Sequence, residues 1–181
     1  NGICKEDFYY KPDSYFSYSK NVIKEFMHMI CTNKNIDYVW LRLFYVYGLN
    51  QRKNTIIQII LDNLFNKSQI KINNPNATND YVYIDDVVDA IMKSIKKRKI
   101  KSVINIGSGK IISVIELIRK IENMLFLNNK FSKKIFNNKK IKKQQSKKSL
   151  NLKAKRLLNW TPKYTLDEGL LEILKKRKLI K

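Results

Sequence analysis

The sequence predicts a layered α/β fold, and three observations carry this prediction. Short β-rich runs alternate along the chain with segments whose apolar residues recur at helical spacing. The run at 38–44 is apolar almost throughout, which is typical of a strand covered on both faces. There is no internal repeat, and strands that alternate with helices indicate a sheet with helices packed on it.

The first helix is predicted to follow Asp13 or Ser14, because either side chain can accept a hydrogen bond from the first turn. Its apolar residues keep helical spacing from Val22 to Ile30, and the polar run at 33–35 ends it. The strand at 38–44 comes next. Gly48 closes the turn that follows this strand.

The middle of the chain predicts three more helices and three short strands. A helix covers 56–65, and the acidic pair Asp85-Asp86 starts another helix, where the helix dipole favours carboxylates. Ser113 and Glu116 form the pattern of a capping box, so a further helix begins there. The predicted short strands are 70–72, 81–84 and 103–106.

The last third of the chain is less regular. Residues 127–148 are rich in lysine and asparagine, which predicts a loop with one poor strand at Ile135-Phe136. Helices are predicted over 150–158 and 166–174. Trp160 and Pro162 stand between these two helices and are expected to anchor them against the body of the protein.

The formal net charge of +22 invites a nucleic-acid-binding interpretation, which the composition disfavours. The cations are 31 lysines and only 6 arginines, and Lys, Ile and Asn, all abundant here, have A/T-rich codons. Arginines and aromatic residues do not form an interleaved stripe that would read bases. We therefore expect attraction to small anions rather than to nucleic acid.

The sequence gives little support for a disulfide-rich, a metal-binding or a membrane-spanning protein. Cys4 and Cys31 provide neither a disulfide framework nor a metal-binding spacing, which favours a reducing, cytoplasmic setting. No apolar run reaches the roughly 18–20 residues that a membrane span needs. His28 is the only histidine, so no metal site is expected.

Five segments, taken in order, resemble the C-terminal half of the extended short-chain dehydrogenases/reductases, the family of nucleotide-sugar epimerases and dehydratases. Each segment alone is a weak signal, but together they cover nearly the whole chain. The segments are Ser-Tyr-Phe-Ser-Tyr-Ser-Lys at 14–20, Arg-Leu-Phe-Tyr-Val-Tyr-Gly at 42–48 with Gln51-Arg52, Asp80 to Ala90, Asn-Ile-Gly-Ser-Gly at 105–109, and 153–170 with Asn-Trp-Thr-Pro-Lys.

The resemblance implies a division of the chain into two parts. Residues 1–50 would be the last helix and strand of an incomplete Rossmann-type parallel sheet, and residues 51–181 mainly the smaller α/β substrate-binding domain with C-terminal helices. The family's glycine-rich dinucleotide loop and its catalytic Ser/Thr would precede residue 1. The chain is therefore expected to be the C-terminal portion of such an enzyme.

The resemblance also implies a proton-transfer pair on the first helix. In the family a tyrosine moves the proton, while a lysine one turn later holds the nicotinamide ribose and lowers the pKa of the phenol. Lys20 matches the lysine, but Phe16 stands at the tyrosine position and has no hydroxyl group. Tyr15 is the candidate substitute, whereas Tyr18 is two residues from Lys20 and points to another face.

Four further residues are implied substrate contacts. Tyr45 stands where the family often has asparagine, and Asn79 stands where an arginine often clamps the diphosphate. Arg52 is the candidate replacement for that arginine. Tyr83 could face the sugar, although packing at a strand end explains it equally well.

Two main interpretations of function remain open at this point. The first is a fragment of an enzyme that uses NAD or NADP to epimerise, dehydrate or reduce an NDP-hexose in polysaccharide biosynthesis, as an isomerase or a lyase would. Such an enzyme would pair as a homodimer through the helix at 16–31. The second is an inactive remnant that binds a nucleotide sugar or a partner subunit. A nucleic-acid-binding module is the third and least supported.

Overall fold

The computed structural model describes residues 2–8, 11–65, 72, 74–127, 132–133 and 147–180. These residues form a mixed α/β structure, as predicted. The helices are α1 (Tyr15–Asn33), α2 (Ile56–Phe65), α3 (Ile84–Lys96), α4 (Val114–Met124), α5 (Leu152–Leu158) and α6 (Leu166–Lys176). The strands are β1 (Gly2–Cys4), β2 (Tyr38–Leu43), β3 (Tyr45–Tyr47), β4 (Thr78–Asn79), β5 (Tyr81–Tyr83), β6 (Lys101–Ile106), β7 (Ile112–Ser113) and β8 (Lys147–Ser149).

Strands pair mainly in parallel between distant parts of the chain. The longest pair joins β2 to β6, in register from Tyr38 opposite Lys101 to Leu43 opposite Ile106. β3 pairs with β5 and β1 with β8, also in parallel, whereas β4 and β7 are antiparallel. The β6 strand, which pairs with β2, lies beyond residue 50 in the sequence. The boundary at residue 50 itself stays a prediction.

Two apolar clusters form the core. One packs α2, α4 and α6 against the tyrosines of β3 and β5, and the other packs α3 and α5 against β6. Val39 and Leu41 of β2 contact the second cluster, so alternate side chains of β2 point toward α3 and α5. Trp160 is fully buried in this cluster, and its indole N–H donates to the backbone oxygen of Asp86 at 2.9 Å, as expected for an anchor.

The predicted helix caps are also present. Ser113 and Glu116 form the capping box of α4. Ser14, rather than Asp13, caps α1: its hydroxyl accepts from the backbone N–H of Ser17, whose own hydroxyl accepts from the N–H of Ser14. The short strand predicted at 70–72 and the poor strand at 135–136 lie outside the described residues, apart from Ile72.

One prediction about β2 was wrong. The apolar run suggested a strand covered on both faces, but residues 38–42 are only half-buried and Leu43 is exposed. Within the described residues β2 pairs on one edge alone, with β6. Helix α1 lies on the side that Tyr38 faces, where His28 Nδ1 and the Tyr38 hydroxyl are 2.7 Å apart. None of the 19 residues of α1 is buried.

Within the described ranges, none of the helices has the length and apolarity that crossing a bilayer requires.

Candidate active site

The first turns of α1 place Phe16 and Lys20 on one face. Residues four apart in a helix are neighbours, and the Lys20 Nζ atom lies 5.6 Å from the centre of the Phe16 ring. A phenol at position 16 would therefore lie within reach of the ammonium group. The geometry expected from the spacing is present, but the hydroxyl that would carry the proton is not.

The two neighbouring tyrosines do not fill that gap in this structure. Tyr15 is 98% exposed, and Tyr18 is also largely in solvent. Within the described part of the chain, Lys20 makes no hydrogen bond to either phenol. The residue that the structure brings against Lys20 is Phe16, which is itself 73% exposed.

Tyr45 and Asn79 are brought together around a third tyrosine, Tyr81. The Tyr45 ring lies 4.9 Å from the Tyr81 ring, and the side-chain amide of Asn79 donates to the Tyr81 hydroxyl at 3.3 Å. The Tyr45 hydroxyl also accepts from the backbone N–H of Ile56, at the start of α2, at 3.3 Å. Burial raises the pKa of Tyr81 to about 12, so its phenol keeps its proton at neutral pH.

Arg52 lies in the loop that leads into α2. Its backbone oxygen accepts from the Thr55 N–H and hydroxyl at 3.1 and 3.0 Å, which holds the loop in place. Its side chain is exposed and makes no hydrogen bond or ion pair with the described residues. The guanidinium is therefore available to an anionic group.

The sugar-facing role suggested for Tyr83 is not supported by its position. Tyr83 is only 2% exposed, with its ring 5.4 Å from that of Tyr47 and 4.7 Å from that of Tyr164. Burial raises the pKa of its phenol, with smaller contributions from nearby carboxylates such as Asp85. In this structure Tyr83 packs in the core, because β5 is covered on the side where it points.

Sequence reasoning missed the most enclosed polar group of this region, Asp80, which lies between β4 and β5. Its carboxylate is 2% exposed and accepts five hydrogen bonds from Ser108, Gly109 and Ser149. An aspartate within a β-rich run such as 78–83 is itself a signal, because aspartate is depleted from strands.

Sequence reasoning also missed a second polar contact, between β1 and the β2–β6 pair. Arg42 donates to the backbone oxygens of Lys5 and Glu6 at 3.1 and 3.4 Å. The fully buried Asn105 side chain donates to the backbone oxygen of Cys4 at 2.8 Å. These bonds hold the segment after β1 against the carboxyl ends of β2 and β6.

The candidate site lies where the parallel strands end. Tyr45 follows β2 and Gly107 follows β6, and Leu43 is directly opposite Ile106. In open parallel sheets ligands bind outside the carboxyl ends of the strands. Within the described ranges, no group of three or more metal-binding side chains is found. Fold and site together define part of a Rossmann-type α/β enzyme fold.

Comparison with known proteins makes this assignment specific. The sequence profile of the NAD dependent epimerase/dehydratase family matches residues 3–107, more than half of the chain. The chain belongs to this family, and the resemblance to extended short-chain dehydrogenases/reductases is confirmed.

Two relatives illustrate the similarity. The uncharacterized protein MJ1055 of Methanocaldococcus jannaschii is 30% identical over 161 residues, which cover 88% of this chain and 48% of that protein. The dTDP-4-dehydro-6-deoxyglucose reductase of Escherichia coli is 29% identical over 171 residues, covering 91% of this chain and 52% of the reductase. The chain thus spans about half the length of these curated relatives.

A solved structure supports the same assignment. The UDP-glucuronic acid 4-epimerase from Bacillus cereus, in complex with UDP-glucuronic acid and NAD, superposes with a TM-score of 0.75 at 25% identity. The alignment covers 98% of this chain and 57% of the epimerase.

Proposed function

We propose that this chain supplies the substrate-binding part of an enzyme that uses NAD or NADP to transform an NDP-hexose. The observation that carries the proposal is the grouping of Tyr45, Asn79 and Tyr81 beside the carboxyl ends of β2 and β6. Family membership and relatives that act on nucleotide sugars support the substrate class. Arg52, whose guanidinium has no partner among the described residues, would hold the diphosphate from the adjoining loop.

Lys20 is the residue of this chain that would contact the cofactor. Its ammonium group is exposed, and an ammonium donates well to ribose hydroxyls. The nicotinamide, when bound, supplies hydride transfer to and from the sugar. The remaining cofactor contacts would come from a glycine-rich loop that this sequence does not contain.

The reaction would be epimerisation, dehydration or reduction through a transient keto-sugar, as in isomerases and lyases that serve polysaccharide biosynthesis. Two free cysteines are compatible with a reducing cytoplasm, where we place the protein. Helix α1 leaves Val22, Phe26 and Met29 exposed. We propose that these residues form the contact of a homodimer.

A second candidate function is binding of a nucleotide sugar without turnover. The specific observation in its favour is Phe16, because its ring lies against Lys20 and cannot exchange a proton. Tyr45 and Asn79 also favour this second candidate, because they differ from the residues common at these positions in the family. The two candidates share the ligand and differ in chemistry.

The variant Phe16→Tyr in the full protein separates them. If Lys20 is placed for catalysis, the new phenol will raise turnover of an NDP-hexose with NAD or NADP by about tenfold or more, since positioned acid–base groups contribute roughly 10²–10⁴-fold. Because position 16 is largely exposed, the fold should be unaffected. Tyr18→Phe, at an exposed phenol on another face of α1, is the matched control and should leave the rate unchanged.

Each other outcome is informative. An unchanged or lower rate in Phe16→Tyr would mean that another residue carries the proton. If the wild-type protein binds none of a panel of UDP-, dTDP- and CDP-hexoses in calorimetry, the proposed function itself is wrong.

A further inference from the structure

The Asp80 carboxylate is enclosed by donors rather than by cations. Oδ1 accepts from the Ser108 N–H at 2.6 Å and the Ser108 hydroxyl at 2.7 Å. Oδ2 accepts from the Gly109 N–H at 3.0 Å and from the N–H and hydroxyl of Ser149 at 2.8 and 2.7 Å. Hydrogen bonds to a charged acceptor are among the stronger ones in proteins.

These donors belong to segments that are far apart in the sequence. Ser108 and Gly109 lie in the loop after β6, Ser149 ends β8, and Asp80 joins β4 to β5. We call Asp80, Ser108, Gly109 and Ser149 the Asp80 network. The carboxylate is thus the common attachment point of three segments.

The packing around the network is close. A Cβ atom added at Gly107 would come within 2.8 Å of Ser149 Cβ and 3.0 Å of Asp80 Oδ2, with the Ser149 hydroxyl oxygen nearer still. The Asn151 side chain closes the other side by donating to the Gly107 oxygen at 2.7 Å. The loop after β6 therefore has little freedom to move relative to β8.

The network adjoins the candidate substrate residues. Asn79 directly precedes Asp80, and the backbone oxygen of Asp80 accepts from the Tyr45 N–H at 2.9 Å. A shift of Asp80 would consequently move both Tyr45 and Asn79. Since Asp80 is itself almost wholly buried, it can affect a ligand only through these neighbours.

We propose that Asp80 is a positioning residue of the nucleotide-sugar site, where its carboxylate holds the Ser108–Gly109 loop and β8 against the strands that carry Tyr45 and Asn79. The proposal rests on the proposed function for the identity of the ligand. The structural link, by which Asp80 holds the Ser108–Gly109 loop and β8 in place, does not rest on that function. A buried carboxylate that accepts five hydrogen bonds keeps these three segments in fixed positions relative to one another.

The variant Asp80→Asn tests the link directly. It keeps the shape of the side chain but replaces one acceptor oxygen by an NH₂ group, which then faces N–H and O–H donors. Backbone amide hydrogen exchange, followed by NMR on the intact protein, should speed up about 10–100-fold at Ser108, Gly109 and Ser149. Exchange at Ile118 and Ile121 inside α4 should not change. Asp85→Asn, at an exposed carboxylate, is the matched control.

The ligand arm uses calorimetry with UDP-glucose, UDP-glucuronic acid and dTDP-glucose as probes. Asp80→Asn should weaken binding of whichever probe the wild type binds by about tenfold or more, and Asp85→Asn should not. If Asp80→Asn does not fold, Ser108→Ala and Ser149→Ala each remove one hydroxyl donor and should show the same two effects at smaller size.

The outcomes separate the two proposals. Unchanged exchange at Ser108 and Ser149 would overturn the structural link. Faster exchange together with unchanged affinity would overturn the positioning role. If the wild type binds no probe, the proposed function and the positioning role both fail, while the exchange data still decide whether Asp80 holds the loop.

Discussion

Helix α1 and the Asp80 network differ in how much of this chain supports them. Phe16 and Lys20 lie on a helix with no buried residue, and their relative position follows from helical spacing alone. Asp80 is held by residues 28 and 69 positions away in the sequence. The proposed proton-transfer side of the site is thus local and open, whereas the proposed substrate side is long-range and enclosed.

This difference indicates which side of the proposed site the described residues hold in place by themselves. The proposed substrate side is held because three segments converge on one buried carboxylate. The proposed proton-transfer side depends on α1, where the described part of the chain leaves Val22, Ile23, Phe26 and Met29 exposed. Substitutions in the two apolar clusters or the Asp80 network should therefore lower the free energy of unfolding strongly. Substitutions of exposed residues on α1 should lower it only a little.

The largest effect is expected for Trp160→Ala. Trp160 is fully buried and donates a hydrogen bond to the backbone of Asp86. Its truncation should lower the free energy of unfolding by about 3–5 kcal/mol, the range for large aromatic residues in cores. Urea denaturation followed by circular dichroism measures this loss.

Tyr15→Ala on α1 is the matched control for that experiment. The Tyr15 ring is 98% exposed, so the same kind of truncation should change the free energy of unfolding by no more than about 0.5 kcal/mol. Equal losses in the two variants would mean that α1 is packed as firmly as the rest of the protein. That result would contradict the difference between α1 and the Asp80 network.

An intermediate effect is expected for Gly107→Ala beside the Asp80 network. The new Cβ would overlap Ser149, and overpacking of this kind costs about 1–3 kcal/mol. In Gly2→Ala the nearest atom is the flexible Lys147 Cγ at 3.3 Å, so thermal melting should be nearly unchanged. A neutral Gly107→Ala would show that the loop after β6 can move away from β8.

The smallest effect concerns the charge at the start of α4. Hydrogen bonds from the Ser113 hydroxyl and N–H lower the pKa of Glu116 from its ordinary 4.5. Its contribution, about 0.3–1 kcal/mol relative to Glu116→Gln, should be present above pH 4.5 and disappear as the pH falls through the lowered value. Melting curves of both proteins between pH 3 and pH 7 measure it.

Asp86 should show the opposite slope. Burial raises its pKa above the ordinary 3.8, although the backbone N–H groups of Lys163 and Tyr164 oppose the shift. Its contribution to stability is therefore full below pH 3.8 and is lost as the pH rises through the raised value. If Asp86→Asn, compared with the wild type, gives the same slope as Glu116→Gln, burial does not dominate at this carboxylate.

The sequence predicted the helices well but missed the short strands β1, β3, β4, β7 and β8. The helices, the capping box at Ser113 and Glu116, and the pairing of Phe16 with Lys20 on one face all depend on residues within a few positions of each other. The family resemblance also rested on short segments in the right order. Such patterns are visible because helix and turn geometry is set by the adjacent backbone.

The sequence could not separate packing from exposure. Tyr83 looked equally suited to a core and to a sugar site, and only the neighbouring rings of Tyr47 and Tyr164 decide that it is buried. Similarly, the apolar run of β2 predicted cover on both faces, yet cover depends on which elements lie beside it. Burial is a property of the assembled layers rather than of the strand's own residues.

By itself, then, the sequence determined the α/β class, the family and the absence of a hydroxyl group on the side chain at position 16. Each of these follows from a short sequence pattern or from the type of a single residue. The tertiary structure alone decided that Asp80 joins three segments, that Arg42 and Asn105 hold β1, and that the described residues bury no residue of α1. Those contacts join residues tens of positions apart, and their energies depend on distances that only the folded chain brings within hydrogen-bonding range.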